Sequence, residues 1–305
     1  MTILVTGGAG FIGSHLVDKL IKEKHRVIVV DDLSTGKKIN LNKRAKFYRL
    51  DIQDKKLEQI FKKEKPQVVY HLAAQMNVRK SIADPIFDAK TNIVGVLNLL
   101  ENCVKYHVKK FVFISTGGAI YGDGVKIPTP ETATEAPISP YGIAKLATEK
   151  YLHYYRHQYG LNYTVLRLAN IYGPRQNYLG EAGVVAIFCH QLKNNQPTFI
   201  NGPGQQTRDF VFVADVVAAA LKALKDKKPN IYNIATSKEN NINQLASALQ
   251  KVSGVKTPIE HRSAIKGEQM RSCLNYQKIK KHLGWSPKYD LEKGLRETWQ
   301  WFQKN

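Results

Sequence analysis

The opening of the chain constrains it most. Residues 2–6 form a short apolar run, Gly7-Gly8-Ala9-Gly10-Phe11-Ile12-Gly13 follows, and His15, Leu16 and Leu20 then recur at helical spacing. The glycines satisfy Gly-x-Gly-x-x-Gly (Gly8, Gly10, Gly13) and also Gly-x-x-Gly-x-x-Gly (Gly7, Gly10, Gly13). Without Cβ atoms the backbone turns tightly and approaches a pyrophosphate, which then rests on the helix N-terminus. A glycine motif alone is weak, and a surface turn would satisfy it. Here a second strand (residues 26–30) ends in Asp31, 18 residues past Gly13, where a carboxylate accepts from the ribose hydroxyls of a dinucleotide. Asp31 and Asp32 repel a 2′-phosphate, which favours NAD over NADP, although Lys37 and Lys38 lie close by.

Strand and helix signals then alternate. Residues 47–50, 67–71, 111–115 and 163–168 read as strands, with helices that include residues 86–103 and a run starting at Tyr141. Hydrophobic strands alternating with helices imply an α/β fold, a Rossmann-like doubly wound parallel sheet covered on both faces. Ligands gather at the carboxyl ends of such strands. The glycine loop, Asp31, Asp51, Leu72-Ala73-Ala74 and Ser115-Thr116 all fall there. After Asn170, loops rich in Gly, Pro and Asn interrupt shorter elements. The expected division is residues 1–170 as an NAD-binding domain and 171–305 as mainly a smaller C-terminal substrate-binding region. Residues 210–224 and 232–235 (about 210–236) are expected to return to the main sheet.

Ser139-Pro140-Tyr141-Gly142-Ile143-Ala144-Lys145 opens a helix whose Tyr141 and Lys145, four apart, share one face. A tyrosine, with a pKa of about 10, is a poor base at neutral pH. An ammonium one turn away, assisted by a cationic nicotinamide ring, favours the phenolate. Such a tyrosine takes a proton from a sugar hydroxyl while a hydride leaves the same carbon. Alone the pair is a common coincidence; behind a dinucleotide-binding start it is a candidate site.

The net charge of +21 (46 Lys+Arg against 25 Asp+Glu) suggests either a nucleic-acid partner or a lysine-rich surface on an enzyme with an anionic substrate. The lysines are scattered in pairs such as Lys280-Lys281, without an arginine-aromatic stripe, which favours the solvated surface and no nucleic acid. Cys103, Cys189 and Cys273 lie far apart in apolar surroundings, fitting buried thiols in a reducing compartment and no metal site. No apolar stretch approaches the roughly 18 residues of a membrane span, and Met1 leads directly into a strand, so a cytoplasmic protein without membrane association is expected.

With these residues assembled, the chain resembles the extended short-chain dehydrogenase/reductase superfamily and, within it, the UDP-hexose 4-epimerases. The likeness rests on residues 6–13, Asp31-Asp32-Leu33-Ser34, Asp51-Ile52, His71-Leu72-Ala73-Ala74-Gln75, residues 115–122 and residues 141–145. It continues through Arg167-Leu168-Ala169-Asn170, Tyr172-Gly173-Pro174-Arg175-Gln176, Gln206-Thr207-Arg208-Asp209-Phe210, Gly267-Glu268 and Leu283-Gly284-Trp285. It implies that NAD⁺ stays bound, that Tyr141 takes the proton from the sugar 4-hydroxyl and NAD⁺ the C4 hydride, and that the 4-keto sugar swings before the hydride returns to its other face. Lys145 would hold the nicotinamide ribose and keep Tyr141 ionised.

By the same resemblance Gly7, Gly10, Phe11, Ile12 and Gly13 would meet the pyrophosphate. Asp31 would meet the adenosine ribose, Asp32, Leu33, Ser34, Thr35 and Gly36 would also belong to the cofactor side, and Asp51-Ile52 would meet the adenine. Leu72, Ala73, Ala74, Gln75 and Met76, with Asn92 and Ser115, would complete the cofactor pocket. Asn170 and Arg208 would meet the UDP diphosphate, for which a guanidinium fork is suited. Gly183, Val184 and Val185 belong to the substrate side, Phe199-Ile200 would flank uracil, and Glu268 the uridine ribose. Singly, Arg208 could instead pair with Asp209 or Asp215, and Asn92 could be a helix-packing amide. A homodimer through residues 86–103 and 141–159 is also implied.

One position departs from the family. Counting back from Tyr121-Gly122, its catalytic Ser/Thr falls on Gly117, which has no side chain to donate to the 4-oxygen. Thr116 is the expected substitute; Ser115, a water or the substrate itself are alternatives, and an inactive sugar-nucleotide sensor is another. Gly118 and Ala119 occupy positions where related dehydratases and decarboxylases resemble acidic sequences, which disfavours those reactions. Aligned through Gly267-Glu268, the position that gates the sugar C2 substituent falls on Ser272, whose small side chain leaves room for an N-acetyl group. A UDP-glucuronate substrate stays open, since Arg79 and Arg175 could face a carboxylate, although a phosphate-side or surface arginine is the favoured reading of either.

Overall fold

The computed structural model describes residues 1–179, 183–265 and 267–305. The chain condenses into two units that interleave along the sequence. The first holds residues 1–122, 134–167 and 217–232, the second residues 123–133, 168–216 and 233–305. The expected division near residue 170 is thus crossed by residues 123–133, which belong with the later part of the chain.

The first unit is organised on β1 (Thr2–Thr6), β2 (Arg26–Asp31), β3 (Lys46–Arg49), β4 (Val68–His71), β5 (Lys110–Thr116) and β6 (Asn162–Leu168), with β11 (Asn230–Ile234) as a further strand. Their order, β11-β6-β5-β4-β1-β2-β3, is the doubly wound arrangement. The strands from β3 through β2, β1 and β4 to β5 are paired in parallel. β1, β2 and β4 are almost wholly buried apolar runs, as a sheet covered on both faces requires. The order reverses between β1 and β4, which makes the ends of those strands the natural ligand crevice.

Helices α1 (Phe11–Lys22) and α2 (Leu57–Glu64), with α5 (Gly95–Lys105) and α6 (Pro140–Tyr159), cover the sheet. Leu57, Phe61, Leu99, Leu100 and Leu152 share one core with Val69, Phe111 and Val165. The helix expected over residues 86–103 is present but divided into α4 (Pro85–Ala89), a π-helical turn (Lys90–Val94) and α5, preceded by the short α3 (Val78–Ala83). The π turn keeps the apolar spacing nearly continuous, so periodicity gives no warning of it. Within it the Asn92 carbonyl accepts from Thr148 Oγ1 on α6, a partner outside its own ladder.

The expected return of residues 210–224 to the main sheet needs correction at its start. β10 (Phe210–Phe212) pairs in parallel with β7 (Asn170–Tyr172), forming a separate two-stranded sheet. Tyr172 meets Phe212 edge-on at 5.6 Å and Phe210 at 6.4 Å, an aromatic cluster that keeps the strands together. The helix that follows, α8 (Val213–Leu224), does return, for its Ala220 carbonyl accepts from Tyr70 on β4.

The second unit also pairs β8 (Thr198–Asn201) with β13 (Ile259–Arg262), and sets β9 (Thr207–Arg208) between β12 (Asn240–Asn241) and β14 (Arg271–Ser272). Its helices are α7 (Val184–Lys193), α9 (Ile242–Ser253), α10 (Gln277–Leu283) and α11 (Leu291–Lys304). Asn241 and Gln244 form a capping box at the start of α9. Two buried carboxylates tie the loops together. Asp209 accepts from Thr236 N, Thr236 Oγ1 and Ser237 N, and Asp215 from Lys288 N and Tyr289 N. Among the described residues, no helix is long and apolar enough to cross a membrane and no cluster could hold a metal ion.

Candidate active site

The cradle after β1 has the geometry a dinucleotide needs. A Cβ on Gly13 would lie 2.1 Å from the Gly7 carbonyl oxygen, so only glycine lets α1 start this close to the loop. Gly10 caps α1 without a side-chain bond, leaving the first-turn N–H groups of a long helix for a ligand. Asp31, buried at the end of β2, accepts from Ala9 N at 2.9 Å and Leu33 N at 2.9 Å, which fixes its carboxylate beside the loop. Burial pushes that carboxyl upward from the usual range. Asp32 is exposed and accepts from Ser34 N and Oγ, while Thr35 is exposed and Gly36 packs against Asp31. These features fit a dinucleotide.

Asp51 is exposed, whereas the side chain of Ile52 is buried in the core, so Ile52 offers an adenine only its backbone. Leu72, Ala73 and Ala74 follow β4, and Ala73 N donates to Thr6 Oγ1, drawing this segment against the glycine loop. Met76 is exposed. Gln75 and Asn92 are buried and bound to each other: Asn92 Nδ2 donates to the Gln75 carbonyl and to Asp88 Oδ1, and Asn92 Oδ1 accepts from Gln75 N. All three of these bonds are internal to the fold, joining the segment after β4 to the helices that follow it.

Tyr141 and Lys145 stand in the first turns of α6, which begins at Pro140 with Ser139 as its cap. A Cβ on Gly142 would lie 2.4 Å from the Ala119 carbonyl oxygen, so its absence lets α6 abut the turn that leaves β5. Tyr141 is half-buried, and its N–H donates to Ser81 Oγ. Lys145 is buried; its Nζ donates to the Ile114 carbonyl at 3.0 Å and lies 5.8 Å from the Tyr141 ring centre and 4.7 Å from that of Phe113. Burial lowers its pKa to about 8, against the opposing pull of Asp88 and Glu149.

The turn after β5 separates the two hydroxyl candidates. Ser115 Oγ donates to Glu149 Oε1 at 2.7 Å and so serves the interior. Thr116 Oγ1 accepts from Ala119 N, which leaves its O–H to donate elsewhere. Gly117 is buried. Behind them, a network that sequence reasoning missed joins Glu149 to Arg167. Arg167 Nε and Nη2 donate to Glu149, Nη1 to Tyr121 and Nη2 to Glu135, all with Arg167 wholly buried. The available signal was the spacing: Glu149 lies one turn past Lys145 on the same face.

In the second unit, Arg208 Nη2 pairs with Glu268 at 3.4 Å, and the alternatives Asp209 and Asp215 are taken up by backbone groups instead. Ser272 is the register partner of Arg208 on β14 and is buried. Asn170 is exposed at the start of β7, and its N–H donates to the Asp209 carbonyl. Gly183 caps α7 ahead of Val184 and Val185, the latter buried. Ile200 is likewise buried, while the Phe199 ring is covered by the Arg262 guanidinium at 3.3 Å.

A glycine cradle for a dinucleotide and a tyrosine paired with a buried lysine, all at the carboxyl edge of one sheet, place the chain among enzymes that move a hydride and a proton at one carbon. A family model described as the NAD dependent epimerase/dehydratase family matches residues 3–235. The chain is 40% identical over 309 residues to the UDP-glucose 4-epimerase of Mycolicibacterium smegmatis, covering 99% of each. It is similar to a crystal structure of the Thermotoga maritima UDP-glucose 4-epimerase with UDP-glucose (52% identity, TM-score 0.97, 100% of this chain and 99% of that one). It is also similar to the Thermus thermophilus UDP-glucose 4-epimerase in complex with NAD (41% identity, TM-score 0.94, 99% of each). The chain belongs to the NAD dependent epimerase/dehydratase family, and NAD is its cofactor.

Proposed function

We propose that this protein interconverts UDP-hexoses at C4, acting on UDP-glucose and UDP-galactose and also on their N-acetylated counterparts. The observation that carries this reading is the Tyr141–Lys145 pair on α6, with the lysine buried under the tyrosine. Bound NAD⁺ supplies the acceptor, and afterwards the donor, of one hydride. Tyr141, held as a phenolate by the neighbouring ammonium, takes the proton of the 4-hydroxyl and returns it when the configuration has changed. Thr116 donates to the sugar 4-oxygen, replacing the side chain that Gly117 lacks. Arg208 and Asn170 hold the diphosphate, with Glu268 on the uridine ribose. The Arg208–Glu268 ion pair supports this, since it aims the guanidinium and leaves it donors to spare.

Ser272 beside Arg208 leaves room at the sugar C2 position, which supports acceptance of the N-acetyl group. A Ser272→Tyr variant is expected to lose UDP-GlcNAc turnover selectively; equal loss on both substrate pairs would sink the idea. We also propose a cytoplasmic homodimer. Ile86 and Val94 near α4, and Ile143 and Tyr154 on α6, are exposed apolar groups that support pairing, and the three free thiols are buried.

The test is chromatography after incubation of the purified protein with UDP-glucose, UDP-GlcNAc and UDP-glucuronate separately, no oxidant being added. Conversion of the first two to their C4 epimers, lost in Tyr141→Phe, is the expected result. Conversion of UDP-glucuronate alone would move the assignment to that sugar, and binding without conversion would make the chain a sensor.

A further inference from the structure

Asp88 is almost wholly buried. Its Oδ1 accepts from Gln75 Nε2 at 2.9 Å and from Asn92 Nδ2 at 2.9 Å. Among the described residues the carboxylate makes no other hydrogen bond and has no cation within ion-pair distance. A carboxylate kept in the interior without a paired cation is costly, so its retention calls for a charge that it serves at longer range. That charge is Lys145: Asn92, which binds Asp88, is held through its carbonyl by Thr148, three residues past Lys145 on α6, and Asp88 favours the charged form of that lysine.

The groups around Lys145 show why Asp88 matters more than its neighbour. On the same helix stand Tyr141 and Glu149; β5 contributes the Ile114 carbonyl and the Phe113 ring; β4 contributes His71. Burial holds His71 well below its ordinary value, so it is neutral, with Nδ1 on Thr6 Oγ1. Glu149 is neutralised by Arg167, which donates to both of its oxygens. Asp88 is then the one negative charge facing Lys145 that no cation compensates among the described residues. Its placement is firm. Asn92, one turn on in the π segment, grips it, and Thr148 Oγ1 ties the Asn92 carbonyl to α6 just past Lys145.

We infer that Asp88 is the positioning counter-charge of Lys145, a carboxylate whose task is to keep that lysine an ammonium and thereby keep Tyr141 competent as a phenolate. The inference rests on the proposed role of Tyr141, but its test does not need a sugar. Tyrosinate absorbance is titrated in the NAD-loaded protein, and the curve of Tyr141→Phe is subtracted to isolate Tyr141. Asp88→Asn keeps an acceptor for Gln75 and Asn92 and removes only the charge. It is expected to move the Tyr141 midpoint up by about one pH unit while the melting temperature is equal to or above the parental value. Asp88→Glu, which keeps the charge, is expected to return the midpoint toward the parent. It also serves as the second variant if Asp88→Asn does not fold. In turnover, Asp88→Asn is expected to narrow the pH profile of kcat from both sides, with KM unchanged.

A Tyr141 midpoint unmoved in Asp88→Asn would overturn the inference, as would an Asp88→Glu that titrates like Asp88→Asn. If the parent converts no UDP-hexose, the proposed function falls while the titration still decides the role of Asp88.

Discussion

A buried lysine stands at each end of β5. Lys110 begins the strand, and its Nζ donates to the Asp226 carbonyl at 2.8 Å and the Tyr163 carbonyl at 3.4 Å. Lys145 reaches the far end from α6 and donates to the Ile114 carbonyl. Burial lowers both to about 8. What differs is the company. Lys110 is held by main-chain oxygens, with the Asp226 carboxylate favouring its charge and Arg156 opposing it, whereas Lys145 has a tyrosine one turn away and two buried carboxylates in range. A perturbed lysine is thus no sign of chemistry in itself. The carboxyl end of a parallel strand, with a tyrosine beside the lysine, is what makes the second one the candidate site.

Substitutions at the two ends should break the symmetry sharply. Tyr141→Phe is expected to cost about 10²–10⁴-fold in kcat, the range of a lost general acid–base, with NAD retained after gel filtration. Lys145→Met should lose turnover nearly as fully. Lys110→Met should leave kcat at the parental value and give an equal or higher melting temperature, because it removes a charge from the interior. Loss of activity in Lys110→Met would dissolve the distinction drawn here. A smaller effect is expected from the second unit: Arg208→Ala should raise KM for a UDP-sugar about 10–100-fold, the worth of a lost charge-assisted bond, with a lesser change in kcat.

The carboxyl-edge site was partly legible in the sequence, and the amino-edge lysine was not. Gly7 to Gly13, Asp31 and the Tyr141–Lys145 spacing are local patterns, each with a mechanism tied to fixed offsets. The parallel sheet followed from alternating strands and helices. Asp88, Glu149 and Arg167 escaped because their meaning depends on what lies across the fold. Asp88 reads as a polar residue on an exposed helix until the π turn and Asn92 bring it inside. Ser115 and Thr116 could not be ranked until Ser115 was seen donating to Glu149. The strand at residues 210–212 was expected in the main sheet because its apolar run fits either sheet, and only the register with residues 170–172 decides.

The subtlest comparison is between activity and stability over one pH range. A lysine whose folded pKa is about 8, against 10.5 for the free group, binds fewer protons in the folded protein than in the unfolded chain between those values. Folding is therefore favoured as pH rises through that window, and both lysines contribute in the same direction. Below about pH 8 both are charged and the cost of burying them is present in full. Under the proposed mechanism activity should run the other way, because deprotonating Lys145 would remove the charge assigned to supporting the Tyr141 phenolate. Between pH 8 and pH 10 the melting temperature is expected to rise while kcat falls. Lys110→Met should reduce the rise in melting temperature and leave the fall in kcat where it was. A fall in kcat that shifted with Lys110 would mean that the two ends of β5 are electrostatically coupled and that the lysine at the amino edge also sets the working pH of the site.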